Sequence, residues 1–319
     1  MEKQEIVKLF LENELQLTPN ALEIIFQKQD IIDKIISFAK EKNLLVIDEN
    51  VLEKILTPTT EIGQLEIKVV YPEELEEFTT EDVLRVMKER FEILSRIIQE
   101  NHRLQNLTSL SKIKKLKKGE EATVIGMIKD KTTYTILLED FTSHETIQME
   151  AKVVEKLFYD DVIGVKVRKE EEKLVGDKIL FPSLSFFRKT GQLNNDVILS
   201  NLEIKIGGKS IPLEKKEIVK TYIEEFKLLM IDNSVIEKYR QKDEKPIDTL
   251  VSLIERRHLN PSFFISKKVY KKDLFLLDEV PDAIVVLNSN EFMYKAYKGI
   301  NLFLLPVGKK LNLKKKSIE

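Results

Sequence analysis

The sequence predicts an α+β chain of several domains: a small helical bundle, then a small β-barrel, then a mixed α+β domain. Three observations predict it. Apolar residues keep a helical period through the first 56 residues, the period switches to two from about residue 119, and helical and buried-strand patterns mix from about residue 189 onward. The chain has 319 residues, 33% charged and 42% hydrophobic, with a formal net charge of −2. That is globular composition with material for roughly one to three domains. It contains no Cys, no Trp and three His, His102, His144 and His258. The lack of Cys excludes disulfides, zinc ribbons, thiolate nucleophiles and iron–sulfur ligation. Three scattered histidines leave little room for a histidine-rich metal cluster, and the near-neutral charge argues against nucleic-acid binding through bulk positive charge.

Residues 1–56 read as the bundle. Ile6, Leu9 and Phe10 keep helical spacing, Thr18-Pro19 offers a cap followed by Pro at the first helical position, and Leu22, Ile25 and Phe26 continue the stripe. Ile31, Ile32, Ile35, Ile36 and Ala39 form another stripe, followed by the apolar run 44–47. Residues 57–79 read as a linker with one strand near Leu65–Val70. Residues 80–118 hold an amphipathic helix, with the stripe Val83, Val86, Met87, Phe91, Leu94, Ile97 and Ile98, and then a lysine-rich connector.

Residues 119–188 carry the barrel. Strand patterns run over 122–129, 134–139 and 146–150, a short helix over 152–158, and two more strands over 162–168 and 174–181. Three strands, a helix and two strands is the order of an OB-fold barrel. Gly126 in the first strand suits the bend a small barrel needs to close. Residues 189–308 are α+β: a strand over 197–206 and another over 209–211 flank Gly207-Gly208, helices are expected around 214–229 and 247–255, and buried strands at 274–277, 283–287 and 300–305. The basic tail, 309–319, is expected to fray.

Two stretches resemble the small subunit of archaeal family-D DNA polymerase. The first is RFEILSRIIQEN (Arg90–Asn101) with LLEDFTS (Leu137–Ser143), similar to the family's helix before its OB domain and its Glu-Asp-x-Thr turn. The second is RRHLNP (Arg256–Pro261), followed by DEVPDAIVV (Asp278–Val286) and YKAYKGINL (Tyr294–Leu302). The order and spacing of these elements carry the resemblance, which covers most of the chain from about Thr79. It implies that 189–308 is a calcineurin-like phosphoesterase α/β sandwich, here reduced and degenerate, and that the chain pairs with a large catalytic subunit as a heterodimer.

In the family this domain is a 3′–5′ exonuclease whose two metal ions, about 3.5–4 Å apart, clamp the attacking and leaving oxygens. The resemblance implies ligand motifs that this chain does not carry. Only Lys189–Asp196 occupies the interval where the first three belong. The final Gly-His-x-His falls on Leu287, Asn288, Ser289 and Asn290, and neutral amides do not replace two imidazoles in a di-metal cradle. The expectation is no catalytic residue, no metal and no cofactor: a scaffold or regulatory subunit, not an enzyme on its own, but part of a polymerase holoenzyme. The alternative is a free-standing OB-type protein that binds single-stranded nucleic acid; an active metal-dependent exonuclease is disfavoured.

Other features admit two readings. Lys112, Lys114, Lys115, Lys117 and Lys118 could contact a nucleic-acid backbone, or form a solvated loop face. Arg256, Arg257 and His258 could grip a phosphate or a partner's carboxylate, but bracing a helix end is the favoured reading. Ser183–Phe187 vaguely resembles the end of a sliding-clamp-binding peptide, with core packing favoured. A charged amino terminus and the lack of any long apolar stretch point to a soluble, cytoplasmic protein without membrane contact.

Overall fold

Apolar side chains one helical turn apart build the amino-terminal part. Ile6 and Phe10 of α1 (Lys3–Glu12), Ala21 and Ile25 of α2 (Pro19–Gln27), and Ile35 and Ala39 of α3 (Ile32–Glu41) are all fully buried in one cluster. Thr18 Oγ1 accepts the Ala21 N–H at 3.3 Å, and Pro19 opens α2, as the cap pattern predicts. The bundle also has a two-stranded parallel sheet, β1 (Gln16–Leu17) with β2 (Val46–Ile47), where the apolar run 44–47 adds a strand instead of a helix. The computed structural model describes residues 2–27, 29–41, 44–48, 51–52, 66–184 and 191–319. It divides into two units, 1–65 and 66–319.

Of the linker expected over 57–79, residues 57–65 lie outside the described ones, and the strand expected near Leu65–Val70 forms. β3 (Ile67–Val70) is an edge strand of a six-stranded sheet, with Val69 opposite Thr221 and Ile67 opposite Ile223. Pairing satisfies its backbone and lets Val70 pack on the core. α4 (Thr80–Asn101) follows, opened by a reciprocal Thr79–Asp82 capping box.

After a short helix, α5 (Leu110–Ile113), come β4 (Glu121–Lys131), β5 (Thr135–Glu139), β6 (His144–Gln148), the one-turn α6 (Ala151–Val154), β7 (Val162–Glu170) and β8 (Lys173–Leu180). All five strands and the helix expected between residues 122 and 181 form. The strands close into a barrel in the order β4-β5-β6-β8-β7, with β6 and β8 parallel and the other pairs antiparallel. Val124, Ile136, Leu138, Ile147, Ile163 and Val165 fill it. Gly126 serves close packing: a Cβ there would lie 2.4 Å from Leu138 Cγ.

The remaining strands form two sheets. The strand expected over 197–206 is two, β9 (Val197–Leu199) and β10 (Glu203–Ile206), which turn at Ser200–Leu202. β10 pairs with β11 (Lys209–Pro212) through Gly207-Gly208, whose φ values of 53° and 78° match a tight hairpin turn.

The helix expected over 214–229 is corrected to a β-hairpin, β12 (Ile218–Ile223) and β13 (Phe226–Asp232), which turns at Glu224 with φ 53°. The Ile218–Ile223 segment is rich in β-branched residues, and pairing with β3 and β14 outweighs the local helical period. α7 (Asn233–Glu237), α8 (Pro246–Glu255) and α9 (Phe263–Ser266) follow. Leu274–Leu277 is buried but makes only one isolated bridge, between Leu276 and His258, so the strand expected there is corrected.

β14 (Ala283–Ser289), β15 (Met293–Tyr297) and β16 (Ile300–Pro306) complete the larger sheet in the order β15-β16-β14-β13-β12-β3, with β13, β14 and β16 parallel. Ile284, Val286, Leu302 and Leu304 share a cluster with Leu250, Leu253 and Ile254 of α8, and Val285, Phe303 and Leu305 are equally buried. Both faces of the central strands are therefore covered. The tail expected to fray instead forms β17 (Leu311–Asn312) and β18 (Ser317–Ile318) of the smaller sheet, β11-β10-β9-β17-β18, because Leu311 and Leu313 bury their side chains there. Among the described residues no helix is long and apolar enough to cross a membrane.

Candidate functional site

RRHLNP follows α8 directly, and Arg257 stands there with φ 55°. Arg256, Arg257 and His258 are buried, which corrects any reading in which they grip an external phosphate or carboxylate. The Arg256 guanidinium lies 4.5 Å from the Phe158 ring centroid and 4.8 Å from that of Phe181. Its Nε donates to Asp161 Oδ2 at 3.0 Å, and its other nitrogens donate to the Ser252 and Lys156 carbonyls. Arg257 donates to the carbonyls of Ser183 at 3.0 Å and Leu277 at 3.1 Å. These contacts fasten the loop between α6 and β7 to the end of α8.

His258 belongs to a second buried cluster. The Asn260 backbone N–H donates to its Nδ1 at 3.1 Å, which places the ring proton on Nε2, 2.8 Å from Asp273 Oδ2. The same carboxylate oxygen accepts Arg90 Nη2 at 2.9 Å, while Arg90 Nη1 donates to the Pro261 carbonyl at 2.6 Å. Burial, with Arg90 adding to it, pushes the His258 imidazole down to about 4. Burial alone would raise Asp273, but His258 and Arg90 on its oxygen hold it well below the usual carboxylate range. Burial pushes both Asp160 and Asp161 up, against Arg256 in the case of Asp161.

The four positions of the last metal motif lie at the carboxyl end of β14. Pairing with β16 shifts register between Leu287 and Ser289, so Asn288 is a bulged residue, with φ 61°. Its Nδ2 donates to Asp232 Oδ2 at 2.7 Å, and Asn201 Nδ2 donates to its Oδ1 at 3.5 Å. Ser289 is buried and donates to the Glu291 carbonyl, whereas Asn290 is exposed. Burial alone would raise Asp232, but bonds from Ser234 and Asn288 hold it below its ordinary value. The site is a hydrogen-bonded polar cluster at the ends of parallel strands, the place where α/β sheets present ligand-binding residues. Among the described residues no three His, Asp or Glu side chains gather so as to hold a metal ion.

The lysine run forms the outer face of a plug. Leu110 and Ile113 are buried in the barrel core and Leu116 packs against it, so the lysines between them point to water. Lys114 pairs with Glu145 at 2.8 Å and Lys118 with Glu171 at 3.2 Å, while Lys112, Lys115 and Lys117 are exposed without an ion pair to any described residue. Leu184 is buried, and residues 185–187 of the clamp-like segment lie outside the described ones.

The sequence reading missed Arg90, Asp161, Asp232 and Asp273. Asp160-Asp161, an acidic pair between Phe158-Tyr159 and Val162-Ile163, was the visible signal for one of them, since carboxylates inside an apolar run need partners.

No family model and no curated protein match the chain. Among solved structures, the telomere capping protein Ten1 from Saccharomyces pombe is similar at 18% identity and a TM-score of 0.21, over 23% of this chain and 77% of that one. The S. pombe Stn1–Ten1 complex is similar at 18% identity and a TM-score of 0.21, over 23% and 72%. The hypothetical protein YgiW from E. coli follows at 15% identity and 0.21, over 24% and 88%. Likeness at this level decides neither fold nor function, and the barrel rests on its own strand order.

Proposed function

We propose that the chain is a non-catalytic small subunit of a family-D-type replicative DNA polymerase, in which an OB-type barrel and a shortened phosphoesterase-like domain scaffold a large catalytic subunit. The observation that carries this reading is the state of the carboxyl end of β14. Where the family's histidine pair aligns, Asn288 is bulged and donates its amide to Asp232, and Asn290 points to solvent. An amide already spent on a carboxylate is a poor ligand for the two-metal clamp that phosphodiester hydrolysis uses. The elements that carry the resemblance are meanwhile buried and bonded together: Arg90 of the helix before the barrel meets RRHLNP through Asp273 and the Pro261 carbonyl. This arrangement supports a rigid platform.

A free-standing single-strand binder has less support. The outer positions of β5 and β6, the face such barrels use, are Thr135, Leu137, Glu139, His144, Thr146 and Gln148, none of them aromatic, and the exposed Tyr134 and Phe141 lie at the two ends of β5. The β7–β8 segment 168–173 sets Glu170, Glu171 and Glu172 against Arg168, Lys169 and Lys173, a balance that offers phosphates no net positive charge.

Co-expression with a family-D large subunit from the same genome tests the proposal. A stoichiometric complex that survives gel filtration is expected; a large subunit that elutes without this chain overturns it.

A further inference from the structure

We propose that the carboxyl-terminal hairpin, residues 309–319, is a contact surface for a nucleic-acid phosphate backbone. The segment holds five lysines, Lys309, Lys310, Lys314, Lys315 and Lys316, against one acid, Glu319, in a chain whose net charge is −2. All five are exposed. Glu319 stands opposite Lys310 across the hairpin, and Lys310 also acts on Glu203. No lysine of the hairpin makes an ion pair with a described residue. Two are anchored by neutral oxygens: Lys314 Nζ donates to the Asn194 carbonyl at 2.8 Å, and Lys316 Nζ donates to Tyr294 Oη at 3.0 Å while lying 5.3 Å from that ring's centroid. Neutral partners hold these ammonium groups in place without cancelling their charge.

The backbone beneath them is fixed. β17 pairs with both β9 and β18, Leu311 and Leu313 are buried, and Asn312 Oδ1 accepts the Lys315 N–H at 3.0 Å. A cationic segment already folded loses less entropy on binding than a frayed tail would. By contrast, the run at 112–118 has two of its five lysines paired with glutamates.

The residue types favour phosphate over an acidic protein. Where this chain buries a cation against a carboxylate it uses the guanidinium fork of Arg90 or Arg256, whereas the hairpin holds only lysines, point charges suited to irregular phosphate spacing. Its two leucines are buried, so the lysines surround no apolar anchor of the kind that dominates protein interfaces.

The inference does not rest on the polymerase reading, because the test uses the chain alone. The side chains of Lys309, Lys310 and Lys315 make no hydrogen bond or ion pair with a described residue, so K309Q/K310Q/K315Q removes charge and should leave the fold intact, checked by an unchanged thermal melt. Binding of a labelled oligothymidylate and of a labelled mixed-sequence duplex is followed by anisotropy between about 50 and about 200 mM NaCl. With four single-strand contacts, wild-type affinity for the oligothymidylate should fall about 50-fold over that range. In the variant the logarithmic salt slope should drop by about 2 and low-salt affinity by at least about tenfold. K112Q/K115Q/K117Q should change binding far less. Preference between the two probes reports whether single or double strands are the natural source of the phosphates. Wild-type protein that binds neither probe, a hairpin variant that binds like wild type, or a labelled polyglutamate bound as tightly as the oligonucleotide would each overturn the assignment.

Discussion

Arg256 and Asp161, 95 residues apart in sequence, meet inside the protein at 3.0 Å, with the guanidinium also lying against Phe158 and Phe181. Asp161 Oδ2 additionally accepts the Phe158 N–H at 2.8 Å, so one carboxylate ties the barrel's own loop and holds the end of α8. The relationship links the barrel to the helix that packs on the larger sheet. Asp161 Oδ1 is buried without a hydrogen-bond partner among the described residues, a cost that sits beside the cohesion of the pair.

Removing one partner should therefore hurt more than removing both. D161A leaves a buried guanidinium unpaired and is expected to cost about 3–5 kcal/mol in urea denaturation. D161L/R256M replaces the pair with apolar volume and should cost clearly less than the sum of the single changes. Strict additivity in that double-mutant cycle would mean the two side chains are not coupled.

Acid should destabilise the protein through His258. The imidazole has its folded value depressed to about 4 from an ordinary 6.5, so the unfolded chain binds the proton first as pH falls. The stability it contributes is whole above pH 6.5 and is lost between there and about pH 4, on the order of 3 kcal/mol in all. Asp273, also depressed, adds loss of the same sign below its ordinary value of 3.8, whereas Asp161, raised by burial, acts in the opposite sense. H258Q can still donate to Asp273 but cannot titrate. Its urea midpoint should vary less with pH than the wild-type midpoint between pH 4 and 6.5; equal slopes would remove His258 as the cause.

Gly126 sets a packing limit. A methyl group there would meet Leu138 Cγ at 2.4 Å and the Glu139 carbonyl at 3.0 Å. G126A should lower stability by about 1–3 kcal/mol through overpacking, and G126A/L138A should recover part of it. A fully tolerated G126A would mean that the β4–β5 pair yields without cost.

Asn288 tests the non-catalytic reading. Purified chain with Mn²⁺ should release no nucleotide from a 3′-labelled oligonucleotide. A signal that persists in N288A/N290A would place a hydrolytic site elsewhere in the chain. N288A itself should cost about 1–2 kcal/mol, because it removes the bond to Asp232 and leaves a residue with a Cβ at φ 61°.

The barrel was legible because each strand carries its own alternation: Ile136 and Leu138 point inward while Thr135 and Glu139 do not. The helix over 80–101 was legible because Thr79 and Asp82 announce its start and Leu94 and Ile98 its buried face. The hairpin over 218–232 was not, since Val219, Ile223, Phe226 and Met230 satisfy a helical and a strand period alike, and the decision lay with partners at 67–70 and 283–287. Among the site residues, Asn288 and Asn290 were visible as neutral amides in a chain with three histidines. The turn of Asn288 towards Asp232 depends on a bulge set by pairing with β16.

The sequence by itself determined the order of elements through the barrel, the capped helix before it, and the absence of thiol chemistry, because these follow from side-chain period and residue type within a few positions of one another. Tertiary structure alone decided which charges go inside. Arg90, Asp161, Asp273 and Arg256 look in sequence like the solvated charges around them, and only the approach of segments roughly 95 to 183 residues apart makes them buried partners. The same long-range pairing folded the lysine tail onto β9, because Leu311 and Leu313 gain burial only once that strand is in place.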